Sequence, residues 1–152
     1  MANQDHVHLI KRGAAEWNKW RQDYPTIRPD LKMAHLQFAN LIAFNLRGVN
    51  LSMAVLTEAD LRMAHLQEAD LSMADLTAAD LRMARFQFAN LHAANLTQAN
   101  LRETNLSNAN LRAANLNSAD IREAIFDGAN LDGADLTNVK RIRGFWRRIF
   151  TE

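Results

Sequence analysis

The sequence predicts an all-β solenoid, a chain wound into stacked coils of short extended segments with a helical cap at each end. Three observations carry that prediction. A large apolar residue recurs every fifth position from Leu31 to Leu136, which makes 22 units with no insertion. Alanine stands two residues before 18 of those 22 centres. Asparagine or aspartate stands one residue before 17 of them, so the unit reads A-(N/D)-L-x-x. The chain divides accordingly into a helical lead over residues 1–28, the array over residues 29–138 and a basic amphipathic tail over residues 139–152.

Residues 5–22 of the lead read as one helix. Asp5 is placed to cap its start, and Val7, Ile10, Ala14 and Trp17 share a face that Leu9 and Trp20 flank. Tyr24-Pro25 and Arg28-Pro29 end the helix and lead into the first unit. An array exposes an unpaired coil and an apolar end at each terminus. Trp17 and Trp20 are therefore expected to cover the first coil.

A period of five is incompatible with a continuous helix. At ~100° per residue, successive centres would rotate through the whole circumference. A continuous strand fails as well, because an odd period sends successive centres to opposite faces. Within one unit, however, Ala and Leu lie two residues apart, as an inward pair on a short extended segment should. The next Ala comes three residues later, so the chain must turn within every unit. A longer period sets the coil: Arg62, Arg82, Arg102 and Arg122 recur every 20 residues, as do Thr57, Thr77 and Thr97. Four units per coil make about 5.5 coils, a rod of about 26 Å at the usual strand spacing. Leu and Ala columns fill its core and leave no room for a ligand.

Units such as Ala59-Asp60-Leu61-Arg62-Met63 and Ala99-Asn100-Leu101-Arg102-Glu103 resemble the pentapeptide-repeat family. The resemblance covers about residues 29–138 and implies that family's right-handed quadrilateral β-helix. The lead Trp17-Asn18-Lys19-Trp20-Arg21 looks like the preamble of cyanobacterial members. Departures from the unit fall at Phe44, Val49 and Thr104, which stand where Ala is usual. A hydroxyl on an inward position needs a partner, so Thr104 is expected to bond a neighbouring carbonyl.

The tail reads Lys140-Arg141-Ile142-Arg143-Gly144-Phe145-Trp146-Arg147-Arg148-Ile149-Phe150. Ile142, Phe145, Trp146, Ile149 and Phe150 follow helical spacing. Three readings stay open: a cap over the last coil through Phe145, Trp146 and Phe150, a homodimer contact, or a membrane-surface helix.

Composition narrows the function. Eighteen Lys+Arg against 17 Asp+Glu give a formal charge of +1, so global charge predicts no direct nucleic-acid binding. The chain has no cysteine, which excludes disulfides, thiol catalysis and Cys-ligated zinc. No apolar run reaches the ~20 residues of a membrane span. Met1-Ala2-Asn3-Gln4-Asp5-His6 lacks the apolar core of a secretory signal, and a cytoplasmic protein is expected. His35 and His65 lie one and a half coils apart, on opposite faces, so they cannot share a metal. No Gly-rich phosphate loop, nucleophile elbow or pocket is legible. Neither catalytic residues, cofactor nor metal is expected, and the chain reads as a non-enzyme.

Function must then lie on the outer surface. One face stacks Arg62, Arg82, Arg102 and Arg122 behind Asp60, Asp80, Asn100 and Asp120, and solvated self-neutralisation is its bland reading. One corner stacks Met33, Met53 and Met73 beside His35 and Val55, and adaptable Met suits a binding surface. The N-terminal helix is placed where it could cover that corner. The leading expectation is a scaffold that presents these ladders to a protein partner. Its alternative is mimicry of duplex DNA towards a type II topoisomerase, an activity of some members of the resembled family. Residues 30–139 carry 13 acids and 8 bases, a net of −5. B-DNA of the same ~26 Å would carry about 15 charges, so mimicry is the weaker reading.

Overall fold

The computed structural model of the chain describes residues 1–141. The tail expectations for Phe145, Trp146 and Phe150 lie outside the described residues.

Each unit turns in the same way. The residue two after every centre has a positive φ, from Ala93 at 54° to Gly128 at 69°. The following amide closes the turn, as Ala64 N–H does on Leu61 O at 3.0 Å. A left-handed third residue with that hydrogen bond matches a type II turn. The Asx residue before the centre supports it, because its Oδ1 accepts from the backbone N–H two residues on. Ser72 N–H reaches Asp70 Oδ1 at 3.0 Å in this way, and Thr97 N–H reaches Asn95 Oδ1 at 3.1 Å. Short polar side chains that bond local backbone explain why Asn and Asp fill this position.

Turns every five residues produce four faces. Parallel bridges pair residues 20 apart, from Asp30 with Asn50 to Asp120 with Lys140. Four units per coil therefore follow from the register of the bridges. Leu61 N–H donates to Asp80 O at 2.8 Å, and Asp80 N–H returns to Ala59 O at 2.9 Å. We label the faces A to D, with Leu31, Leu36, Leu41 and Leu46 opening each in turn. His35 lies on face B and His65 on face D, in different columns.

Inside, the Leu and Ala columns are almost wholly buried through the middle coils, where Leu91 is 1% exposed, and partly buried in the last, at Ala129, Leu131, Ala134 and Leu136. Thr104 is fully buried, and its hydroxyl donates to Leu81 O at 2.8 Å, which satisfies the polar atom that Ala lacks. Phe44 is buried in the first coil, where it meets the ring of Trp17 at 6.4 Å between centroids, and Val49 is buried at the start of the second.

The lead differs from the single helix expected over residues 5–22. It forms α1 (Gln4–Lys11) and α2 (Ala14–Asp23). The cap of α1 is Asn3 rather than Asp5; Asn3 Oδ1 accepts from Asp5 N–H at 2.9 Å. Asp5 instead sits in the first turn, where its charge favours the helix N-terminus. The break falls at Gly13, whose φ of 106° is open to glycine and strained for other residues. That break folds α2 back, so Ile10 and Trp17 both bury against the array.

Candidate interaction surfaces

The lead meets the first coil through hydrogen bonds as well as apolar contact. Trp17 is fully buried and donates its indole N–H to Asn45 O at 2.8 Å. Asn18 bonds twice, accepting from Asn45 N–H at 2.7 Å and donating to Ala43 O at 3.1 Å. Arg21 is buried and holds Ile27 O at 2.6 Å and Arg47 O at 2.8 Å. Burial without an acidic partner lowers its pKa from the usual arginine value. Trp20 is half-buried and packs between Trp17, His6 and Tyr24. Nothing in this set is arranged for chemistry. Together these groups close part of an open sheet edge.

The arginine column lies on face C. Arg62 grips Asp60 through two bonds, Nε to Oδ1 at 2.8 Å and Nη2 to Oδ2 at 2.7 Å. Arg82 holds Asp80 in the same way at 2.9 Å and 2.7 Å, and Arg122 holds Asp120. Asp80 also lies 3.8 Å from Arg62 Nε, which links two coils. The guanidinium of Arg62 beside Asp60, and that of Arg122 beside Asp120, hold these carboxyls below the usual carboxylate range. Arg102 differs, because its unit carries Asn100. The Asn100 side chain accepts only the Arg102 backbone N–H, at 3.3 Å. The Arg102 guanidinium makes no ion pair among the described residues. The column thus holds three arginine–aspartate pairs and one arginine, Arg102, without an ion pair among the described residues.

Met33, Met53 and Met73 stand at the corner between faces A and B, exposed by 49%, 41% and 60%. The helices leave this corner open, against the expectation that they could cover it, because Gly13 directs α2 over face D.

Two features were not legible as pockets in the sequence. A groove of about 550 Å³ separates α1 and the start of α2 from faces B and C of the first coil. A second, of about 280 Å³, runs between Ile42, Met63 and Met83 and the Arg62 and Arg82 side chains. The Leu and Ala side chains of the middle coils face the interior and are buried. Both grooves are external, and they arise where helix meets coil and where long side chains flank a corner. The Met63 and Met83 column beside the arginines was the available signal for the second groove. The first needed the break at Gly13. Among the described residues, no group of three or more His, Asp or Glu side chains is placed to hold a metal ion. No helix among them is long and apolar enough to cross a membrane.

Comparison with known proteins bears on the array. The family profile described as Pentapeptide repeats (8 copies) matches residues 34–72, 60–98, 69–108 and 104–140. A pentapeptide repeat protein from the Arabidopsis thaliana thylakoid lumen is 31% identical, with a TM-score of 0.65 over 69% of this chain and 72% of that one. Rfr23, a pentapeptide repeat protein from the cyanobacterium Cyanothece 51142, is 26% identical, with a TM-score of 0.61 over 83% of this chain and 94% of that one. No curated protein matches the chain. The profile spans most of the array, the four-sided register agrees with the β-helix of these relatives, and the chain belongs to the pentapeptide-repeat family.

Proposed function

We propose that this chain is a non-enzymatic interaction scaffold whose protein partner docks on the N-terminal half of the rod. The observation that carries this reading is the distribution of corner side chains. Met33, Phe38, Met53, Met63, Met73, Met83 and Phe88 occupy corner positions and are exposed by between 41% and 71%. From residue 93 to residue 138 the corners hold only Ala, Gln, Glu, Asn, Ser and Gly.

Backbone preference does not explain that asymmetry. Every corner residue has a positive φ, which costs an ordinary L-residue roughly 1–2 kcal/mol and suits Gly or Asn. The distal corners use those residues at Asn108, Gly128, Gly133 and Asn138. Seven of the twelve proximal corners, from Met33 to Phe88, instead carry large apolar side chains in a conformation that disfavours them, while Ala43, Gly48, Glu58, Glu68 and Ala78 hold the rest. Such a patch on a rigid repeat surface fits protein recognition, and Met adapts its shape to a partner. The topoisomerase reading gains nothing from the surface, since Arg62, Arg82 and Arg122 neutralise the acids of their own face.

A pull-down from the native cell tests the scaffold, with mass-spectrometric identification of captured protein. A variant with Met33, Met53 and Met73 all changed to Ser should fold and lose the capture. Absence of any protein above background, or undiminished capture by the folded variant, would overturn the reading.

A further inference from the structure

The first coil ends the array, so its outer edge presents the backbone groups that a preceding coil would have met. Each face offers one N–H and two C=O groups there, equivalent to Asn50 N, Asn50 O and Ser52 O one coil on. On face D all three are filled, by Asn18, Trp17 and Arg21. On face A, Asp30 N–H donates to His6 Nδ1 at 3.0 Å and Asp30 O accepts from Asn3 N–H at 3.0 Å. Faces B and C are different. The backbone N–H and C=O of His35 and Asn40, and the C=O of Gln37 and Ile42, have no hydrogen-bond partner among the described residues. This open half-edge adjoins the groove of about 550 Å³, whose apolar walls include Ile10, Ala14, Leu36 and Ile42. Lys11 is the one charged residue lining it and makes no ion pair among the described residues.

We propose that faces B and C of the first coil receive a segment of a partner protein that adds to the edge in parallel, as two short extended pieces joined by a turn at the corner between those faces. The segment repeats what a coil does: it offers amides to His35 O, Gln37 O, Asn40 O and Ile42 O, and carbonyls to His35 N–H and Asn40 N–H. Two apolar side chains at two-residue spacing enter the groove, as Ala and Leu do within each unit, and a carboxylate meets Lys11. Main-chain bonds supply affinity and the groove supplies selectivity, as in other strand-addition sites.

The other occupants fit less well. A whole coil from a second copy is blocked because α1 and α2 fill the edge of faces A and D. The tail of this chain is basic, whereas Lys11 calls for an acid. Its Arg143, Arg147 and Arg148 share the charge of Lys11.

This inference rests on the scaffold reading and needs a separate test. The probe is a phage-displayed library of random dodecapeptides, panned on the full-length chain. Selected peptides should carry two apolar residues two apart and an acidic residue. Adding one should slow hydrogen exchange at the His35 and Asn40 amides. H35P removes a donor that bonds nothing in the fold and should weaken binding about tenfold or more. K11E, at an exposed site, should weaken it about fivefold, the worth of one exposed ion pair. No enrichment, equal binding by folded H35P, or exchange protection elsewhere would each overturn the proposal. Self-association that H35P abolishes would assign the edge to a second copy and overturn it too. Should H35P fail to fold, the exchange pattern and K11E decide. Failure here with Met-dependent capture in the pull-down would leave the scaffold standing and remove only the edge site.

Discussion

The indole N–H of Trp17 donates to the backbone carbonyl of Asn45 at 2.8 Å, and the ring that makes this bond is fully buried. One side chain thus closes both the apolar end of the array and part of its polar edge. Trp17→Phe keeps most of the apolar area but leaves Asn45 O without its donor. An unsatisfied buried carbonyl costs about 1–3 kcal/mol. At roughly 2–4 °C per kcal/mol for a chain of this size, the melting midpoint should drop by about 2–12 °C. An unchanged midpoint would mean that water replaces the indole at no cost.

The array was legible because its two constraints are local and repeated. Alternation of Ala and Leu within a unit fixes the inward pair, and the shift from spacing two to spacing three fixes the turn. The 20-residue recurrence of Arg62, Arg82, Arg102 and Arg122 already contained the register that the bridges show. The lead was less legible. Apolar spacing runs through Gly13 without interruption, so a single helix satisfied the pattern. Only contact with the first coil makes the break favourable. Asn3 and Asp5 are equally good cap residues by type, and it is the bond from Asn3 N–H to Asp30 O that makes Asn3 the cap. The open half-edge at His35 and Asn40 was invisible for a deeper reason: sequence periodicity marks side chains, whereas an edge is made of backbone.

Leu91 tests the core. It is 1% exposed in a middle coil, flanked by Leu71 and Leu111 of the same column. Leu91→Lys places an ammonium there with no acidic partner, at a cost of several kcal/mol. Loss of the cooperative unfolding transition, or insoluble expression, is expected. Parent-like thermal unfolding would show that the leucine columns tolerate charge and that the core assignment is wrong.

Thr104 gives the opposite expectation at an equally buried site. Its hydroxyl bonds Leu81 O, but that carbonyl also accepts from Ala84 N–H at 3.0 Å. Thr104→Ala therefore leaves no orphaned acceptor and restores the usual residue of the column. Stability should stay within about 1 kcal/mol of the parent. A loss beyond about 2 kcal/mol by chemical denaturation would show that the missing atoms leave a cavity the coil cannot close.

Acid should act through Asp60 and Asp120. Both carboxyls titrate below their usual range because Arg62 and Arg122 bond the charged form. A depressed folded-state pKa contributes stability above the unfolded value, about pH 4, and that contribution is lost as pH falls through the folded values. The melting midpoint should therefore change little on their account from pH 7 to 5 and decline below about pH 4. The double variant with Asp60→Asn and Asp120→Asn should show a shallower acid limb. Identical limbs in parent and variant would place the acid sensitivity elsewhere.

Asn100 offers the sharpest test of the arginine column. Asp60, Asp80 and Asp120 each bind the arginine of their own unit, while Asn100 accepts only the Arg102 backbone N–H and gives its guanidinium no ion pair among the described residues. The local backbone is otherwise matched: Arg82 N–H lies 3.2 Å from Asp80 Oδ1, and Arg102 N–H lies 3.3 Å from Asn100 Oδ1. Asn100→Asp should thus create a fourth two-bond pair without moving the chain. Its attraction to Arg102 is opposed by Asp80 and Asp120 one coil away on either side, about 4.8 Å along the column. Solvent screens both effects, so the net gain should be about 0.2–1 kcal/mol at low salt. In 1 M salt the screening length shrinks to about 3 Å, and most of the gain should vanish. Thermal unfolding of parent and variant at both salt concentrations checks this. A destabilised variant at low salt would mean that acid–acid repulsion outweighs the new pair, and that the asparagine relieves crowding in the acidic column.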